Sequence, residues 1–182
     1  ELDPRWLELL FDYVLVNNLR LDFISWHRYS FDPQVFVNDV YEINVLLDDP
    51  KYKKLAKVEK IITEWGPNSY KDKVYSSPVA ASHLIAVARQ LLDKINLAFA
   101  FEIKDGPGQG NFGWGLLTHE SQGIRAKPRY FLFGWLADLS GQRLEVLGEG
   151  SQISGFAVRK ERTVIAVLTN YNPYGPKEES FT

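Results

Sequence analysis

The 182-residue sequence predicts an α/β fold, part of a (β/α)8 barrel followed by an antiparallel β segment. Short apolar runs that read as strands begin at residues 21, 60 and 97, with one helical pattern in each gap, the rhythm of successive βα units in a parallel sheet. The ends of those runs carry His, Tyr, Glu and Trp instead of the Gly-rich phosphate loop that a doubly wound sheet places after a strand, which favours the barrel over that alternative. Past Gly141 the pattern changes to short alternating runs. Three parallel strands are too few to bury both faces of a sheet and leave two unpaired edges, so further strands are expected from elsewhere.

Each element follows from local signals. Leu7, Leu10, Phe11, Val14 and Leu15 recur at helical spacing after Asp3 as cap and Pro4 in the first turn, and the helix stops at Asn17 or Asn18. Leu21 to Trp26 reads as a buried strand, and a helix from Pro33 to Leu47 follows its cap, Asp32. A charged turn leads to a second strand, Lys60 to Trp65, closed by Gly66 and Pro67. Ser77 and Pro78 open a helix whose apolar positions, among them Leu84, Val87, Ala88, Leu91 and Ile95, keep one face; Asn96 is expected to cap its end. Leu97 to Ile103 is the third strand, then a Gly-rich loop over residues 104–127 and a helix from Pro128 to Leu139. Arg143 to Leu147, Ile153 to Arg159 and Thr163 to Tyr171 complete the antiparallel tail.

Composition narrows the function. Twenty-one Lys plus Arg against 23 Asp plus Glu give a net charge of −2, no footprint for nucleic acid or an anionic membrane. No run of about 18 uncharged apolar residues occurs, and Asp3, Arg5 and Glu8 keep the opening residues from reading as a signal peptide. The absence of Cys removes disulfides and thiolate metal sites but leaves the compartment open. His27, His83 and His119 lack the short spacing of a local zinc motif, and the Gly-rich stretch from Gly106 to Gly115 lacks the Lys-Ser/Thr of a P-loop, so neither metal nor cofactor is expected. Met is absent even at position 1, where the chain opens inside a helical pattern, so a piece of a larger protein is expected.

Chemistry should concentrate at the strand ends. Phe23, Ser25, His27 and Tyr29 share one face by the two-residue period, and on the second strand Ile62 and Glu64 are expected together, opposite Ile61, Thr63 and Trp65. A Glu at the end of an apolar strand is costly unless it is paired or used, and both readings are open.

DFISWHRY (Asp22 to Tyr29), KIITEWG (Lys60 to Gly66) and AFAFEIKDG (Ala98 to Gly106) resemble strands six, seven and eight of the clan A retaining glycoside hydrolases, family 39 and its relatives in particular. The stretch FGWGLLTHESQGIRAKPRYFLFGWLADLSG resembles the final loop and helix of such barrels, and VIAVLTNYNP the accessory β-sandwich that often follows. The resemblance implies that residues 1–141 are the C-terminal part of the catalytic barrel and residues 142–182 part of a β-sandwich. It implies a carbohydrate substrate, no cofactor, and double displacement with two carboxyl groups about 5 to 5.5 Å apart. Glu64 matches the nucleophile, and His27 and Tyr29 match the pair beside nucleophile and sugar. Trp65, Phe101 and Trp114 are the aromatic candidates for a sugar platform, with Phe101 favoured. Two departures stand out. Phe101 occupies a place where many members carry Trp, and the acid/base Glu that follows an Asn at strand four has no counterpart; Glu102 and Asp105, after strand eight, do not replace it. The missing N-terminal barrel segment is expected in the same chain or a partner chain. A non-catalytic glycan-binding or degenerate barrel, or one chain of a processed two-chain enzyme, are the alternatives.

Overall fold

A computed structural model describes residues 2–150 and 152–175. Helix α1 (Pro4–Val16) opens where Asp3 accepts from the Arg5 amide at 3.0 Å, and α2 (Pro33–Leu47) repeats the device with Asp32 and the Gln34 amide at 2.9 Å. Strands β1 (Phe23–Tyr29), β2 (Glu59–Gly66) and β3 (Leu97–Ala100) form a parallel sheet in the order β1-β2-β3. α2 crosses from β1 to β2, α3 (Pro78–Leu91) crosses from β2 to β3, and α4 (Pro128–Asp138) follows the loop after β3.

The helices cover one face of this sheet only. Ile24, Trp26, Ile62 and Trp65 enter a continuous core with Phe36, Val40 and Ile43 of α2 and Leu84, Val87 and Leu91 of α3. On that side Arg28 and buried Asp39 form a partly buried pair, with Nε 2.6 Å and Nη2 2.5 Å from the two carboxylate oxygens, and the Trp26 indole donates to Asp39 at 3.0 Å. The other face is open: Phe23, Leu97 and Phe99 keep 51, 51 and 54% of their surface.

Several boundaries differ from the sequence-based expectation; β1 runs Phe23–Tyr29 instead of Leu21 to Trp26 and is buried on one face only, because no helix covers the other. α3 ends at Leu91, because the chain turns through a left-handed Asp93 (φ 63°), and Asn96 does not cap it. Asn96 instead clamps the start of β2, accepting from the Lys60 amide and donating its own amide to the Lys60 carbonyl, both at 2.9 Å. β3 stops at Ala100 instead of Ile103, since the backbone of Glu102 pairs with its own return loop, through Trp114 and Leu116. The first strand of the tail, β4 (Gln142–Leu144), is shorter than the run to Leu147; β5 (Ile153–Lys160) and β6 (Thr163–Asn170) pair along their full lengths. Of the segment expected over residues 142–182, residues 151 and 176–182 lie outside the described residues.

The loop after β3 is held from within. Lys127 and Asp105, 4% and 1% exposed, pair at 2.6 Å; Lys127 also donates to the Gly113 carbonyl at 2.9 Å, and the Gly115 amide donates to Asp105 at 2.7 Å. Gly115 is required there, because a Cβ would strike the Asp105 backbone. The antiparallel sheet β4-β5-β6 docks on α3 through the Arg89–Glu149 fork (2.9 and 2.7 Å) and packs Phe156 and Val167 against the core. Tyr171 joins the two parts: its hydroxyl donates to the Phe31 carbonyl at 2.7 Å and its ring meets buried His83. Among the described residues no helix is long and apolar enough to cross a membrane.

Breaking one partner of a buried ion pair leaves the other charge stranded. Lys127→Met should therefore cost about 3–5 kcal/mol, read as a lowered denaturation midpoint; a loss below about 1 kcal/mol would show that the pair does not hold the loop. His83 gives a pH signature. Burial pushes its imidazole down to about 4, and Nε2 lies 2.8 Å from the Ser30 carbonyl, so the folded state keeps the ring neutral. Between about pH 6.5 and 4 the unfolded chain takes up this proton and the folded chain does not, so the stability that the neutral ring contributes is complete above that window and is lost as pH falls through it. In a pH series of denaturation midpoints, His83→Gln should flatten the slope in this window; an unchanged slope would assign it to other groups.

Candidate active site at the open end of the parallel sheet

β1 and β2 pair in register from Phe23↔Glu59 to Trp26↔Ile62, then resume at His27↔Glu64, so Thr63 is an extra residue in β2. This corrects the expected facing. Ile62 does not share a face with Glu64: Ile62 is fully buried on the helix side, whereas Glu64 stands beside His27 on the open face with a third of its side chain exposed. The Thr63 hydroxyl donates to the Trp26 carbonyl at 3.2 Å, within the slip itself.

Two side chains of β1 converge on one oxygen of Glu64, the Tyr29 hydroxyl as a donor and the His27 imidazole at ion-pair distance. The Tyr29 hydroxyl lies 3.2 Å and His27 Nδ1 lies 3.3 Å from Oε2. Among the described residues Oε1 accepts no hydrogen bond, leaving one lone-pair face of an oriented carboxylate free. Burial, and after it the Glu64 carboxylate, push the Tyr29 phenol well above its ordinary value of 10, so Tyr29 remains a proton donor across the working pH range.

Phe101 follows β3 at the same end, its amide donating to the Trp65 carbonyl at 3.2 Å. Its ring is partly exposed and lies 6.0 Å from that of Trp114, at an interplanar angle of 60°. Trp65 is placed otherwise. It is 4% exposed, packed between Phe36 and His83 on the helix side, and so presents no face to a ligand. The structure brings His27, Tyr29, Glu64 and Phe101 to one end of the sheet and takes Trp65 away from it.

Two further charged residues stand behind this group. Glu102 has its proton affinity raised, first by burial and then by the Asp105 carboxylate, with Glu64 also contributing; its Oε1 is shielded and has no partner. Arg129, 1% exposed, donates to the carbonyls of Phe101 (3.1 Å) and Trp114, and its guanidinium carbon lies over Tyr75, 4.9 Å from the ring centre. Sequence reasoning passed over Arg129, although a signal was present: a cation in the first turn of a helix, where the helix dipole disfavours it.

No protein-family model matches the chain. A β-xylosidase of Caldicellulosiruptor saccharolyticus is 27% identical over 193 residues, covering 94% of this chain and 39% of that protein. Among solved structures, the glycoside hydrolase family 39 enzyme of Xanthomonas axonopodis pv. citri superposes with a TM-score of 0.72 at 20% identity, over 88% of this chain and 35% of that one. A family 39 β-xylosidase of Caulobacter crescentus gives 0.71 at 24% identity, again over 88% and 35%. The chain therefore spans between 35 and 39% of the length of these relatives. In sequence the chain is similar to a β-xylosidase, and in fold to glycoside hydrolases of family 39.

Proposed function

We propose that this chain supplies the nucleophile side of a retaining glycosidase acting on O-glycosidic bonds, with Glu64 as the attacking carboxylate. The observation that carries the reading is the convergence of Tyr29 and His27 on Oε2 of Glu64 at the carboxyl end of a parallel strand, with Oε1 unengaged. On this reading β1, β2 and β3 are strands six, seven and eight of a (β/α)8 barrel, and the antiparallel sheet is part of an accessory β-sandwich. The preceding strands and the acid/base glutamate lie on a segment outside this chain, in the same polypeptide or a partner.

The chemistry follows from the geometry. Oε1 attacks the anomeric carbon as the departing oxygen takes a proton from the acid/base, giving a glycosyl ester on Glu64. Charge leaves the carboxylate in that step and returns when water displaces the ester, and the contacts on Oε2 orient the group throughout. Phe101 offers its ring to the sugar face.

In the intact enzyme, Glu64→Ala should abolish turnover of aryl glycosides, and azide should restore part of it on activated substrates by attacking where the carboxylate stood. Wild-type turnover in that variant would sink the assignment. Tyr29→Phe removes a hydrogen bond to a charged group, worth about 1.5–3 kcal/mol. The expected loss in kcat/KM is about 10- to 100-fold, and a variant within twofold of wild type would mean that Tyr29 does not act on Glu64.

A further inference from the structure

Arg129 sits in the first turn of α4, nearly inaccessible to solvent, with Nε unpartnered and no carboxylate within ion-pair distance among the described residues. Burial, the positive end of a helix and the lack of a counter-ion all act against a cation there, and burial pulls its proton affinity down to about 10, which still leaves it charged at neutral pH. What it does make is specific. Nη2 reaches the carbonyls of both Phe101 and Trp114, and the guanidinium carbon lies over the Tyr75 ring.

Those two carbonyls belong to the residues whose rings form the tilted aromatic pair at the end of the sheet that carries Glu64. Phe101 is at the end of β3 and Trp114 in the loop that returns against it, and the ladder between them is short: the Glu102 amide donates to Trp114 and the Leu116 amide to Glu102. Tyr75, under the guanidinium, is itself fully buried and hydrogen-bonded to the Asn68 carbonyl, just beyond β2. One rigid group thus ties the end of β3, the return loop and the segment after β2 together, beneath the open site.

We propose that Arg129 is a positioning residue for the sugar subsite: its guanidinium sets the places of the Phe101 and Trp114 rings, and so governs substrate binding more than the chemical step. This rests on the glycosidase reading above. The delocalised guanidinium serves two carbonyls from one nitrogen while its carbon covers the tyrosine ring, whereas a compact lysine ammonium keeps the charge and loses that combination.

The test uses the intact enzyme and the first 4-nitrophenyl glycoside, of a panel beginning with the β-D-xyloside, that the wild type cleaves. Arg129→Lys, confirmed folded by its melting transition, should raise KM at least fivefold with kcat within threefold of wild type. The free sugar of that substrate should bind at least fivefold more weakly to Glu64→Ala/Arg129→Lys than to Glu64→Ala. Arg129→Met should worsen KM further if it folds, with Arg129→Lys giving partial rescue. An unchanged KM in folded Arg129→Lys, or a fall in kcat at constant KM, would overturn the proposal. A failure of the glycosidase reading shows separately, as a wild type that cleaves no glycoside or a Glu64→Ala variant that remains active; binding of free D-xylose, fivefold weaker or unchanged in Arg129→Lys relative to wild type, then decides for or against Arg129 alone.

Discussion

Between Trp26 and His27 the pairing of β1 with β2 slips by one residue, and the open end of the sheet takes its arrangement from that slip. Side chains alternate along a strand, so without Thr63 as the extra residue Glu64 would follow Ile62 into the helix-side core, among Phe36, Val40 and Leu84. A carboxylate in that setting costs several kcal/mol unless it is paired. The bulge lets Ile62 and Trp65 both enter the core while Glu64 comes out beside His27, and the Thr63 hydroxyl gives the Trp26 carbonyl a donor at that point. An apolar layer that needs both large residues and a site that needs the carboxylate are met by the same strand.

Three buried or partly buried cations among the described residues support the sheet, each in a different manner. Arg28 pairs with Asp39 between β1 and α2, Lys127 with Asp105 inside the loop after β3, and Arg129 makes do with two carbonyls and a tyrosine face. Such groups add little net stability over well-packed apolar residues, because desolvation opposes most of the attraction. Their effect here is directional. The loop over residues 104–127 has short 3₁₀ turns and isolated bridges in place of extended ladder, so a charged pair and a shared guanidinium define where it sits when few backbone bonds do.

The element order was legible in the sequence because it rests on local signals: Asp and Pro at helix starts, and apolar runs spaced by one helix each. Glu64, His27 and Tyr29 were legible as strand-end residues for the same reason. What was not legible depends on non-local pairing. Nothing in KIITEW announces that Thr63 is extra, since strict alternation and a bulge use the same residues; the slip exists only against β1 and β3. Trp65 looked like a platform from its place at a strand end, yet that same slip commits it to the core. Asn96 read as a helix cap because Asn often serves so, and only the neighbouring strand shows that its amide and carbonyl are used by Lys60. The partners of Asp105 and Arg129 are backbone carbonyls, amides and a Lys brought together by the loop, which no periodicity encodes.

On the glycosidase reading, the nucleophile side is built before the site is complete. Its donors come from the adjacent strand, its aromatic wall from the next one, and the cations behind it from within the chain, so the carboxylate is oriented by contacts that ask nothing of the preceding barrel strands. The open face tells the other half of the story. Phe23, Leu97 and Phe99 stand exposed on the face that carries Glu64, so a single event, the packing of complementary strands, would cover this apolar surface and close the site around the carboxylate. Covering it would also lower the local dielectric and strengthen the Tyr29 hydrogen bond to Oε2 and the His27 contact beside it, which in the open state still compete with water. Completing the fold and sharpening the nucleophile are then driven by the same burial, and the free energy of the one is coupled to the performance of the other.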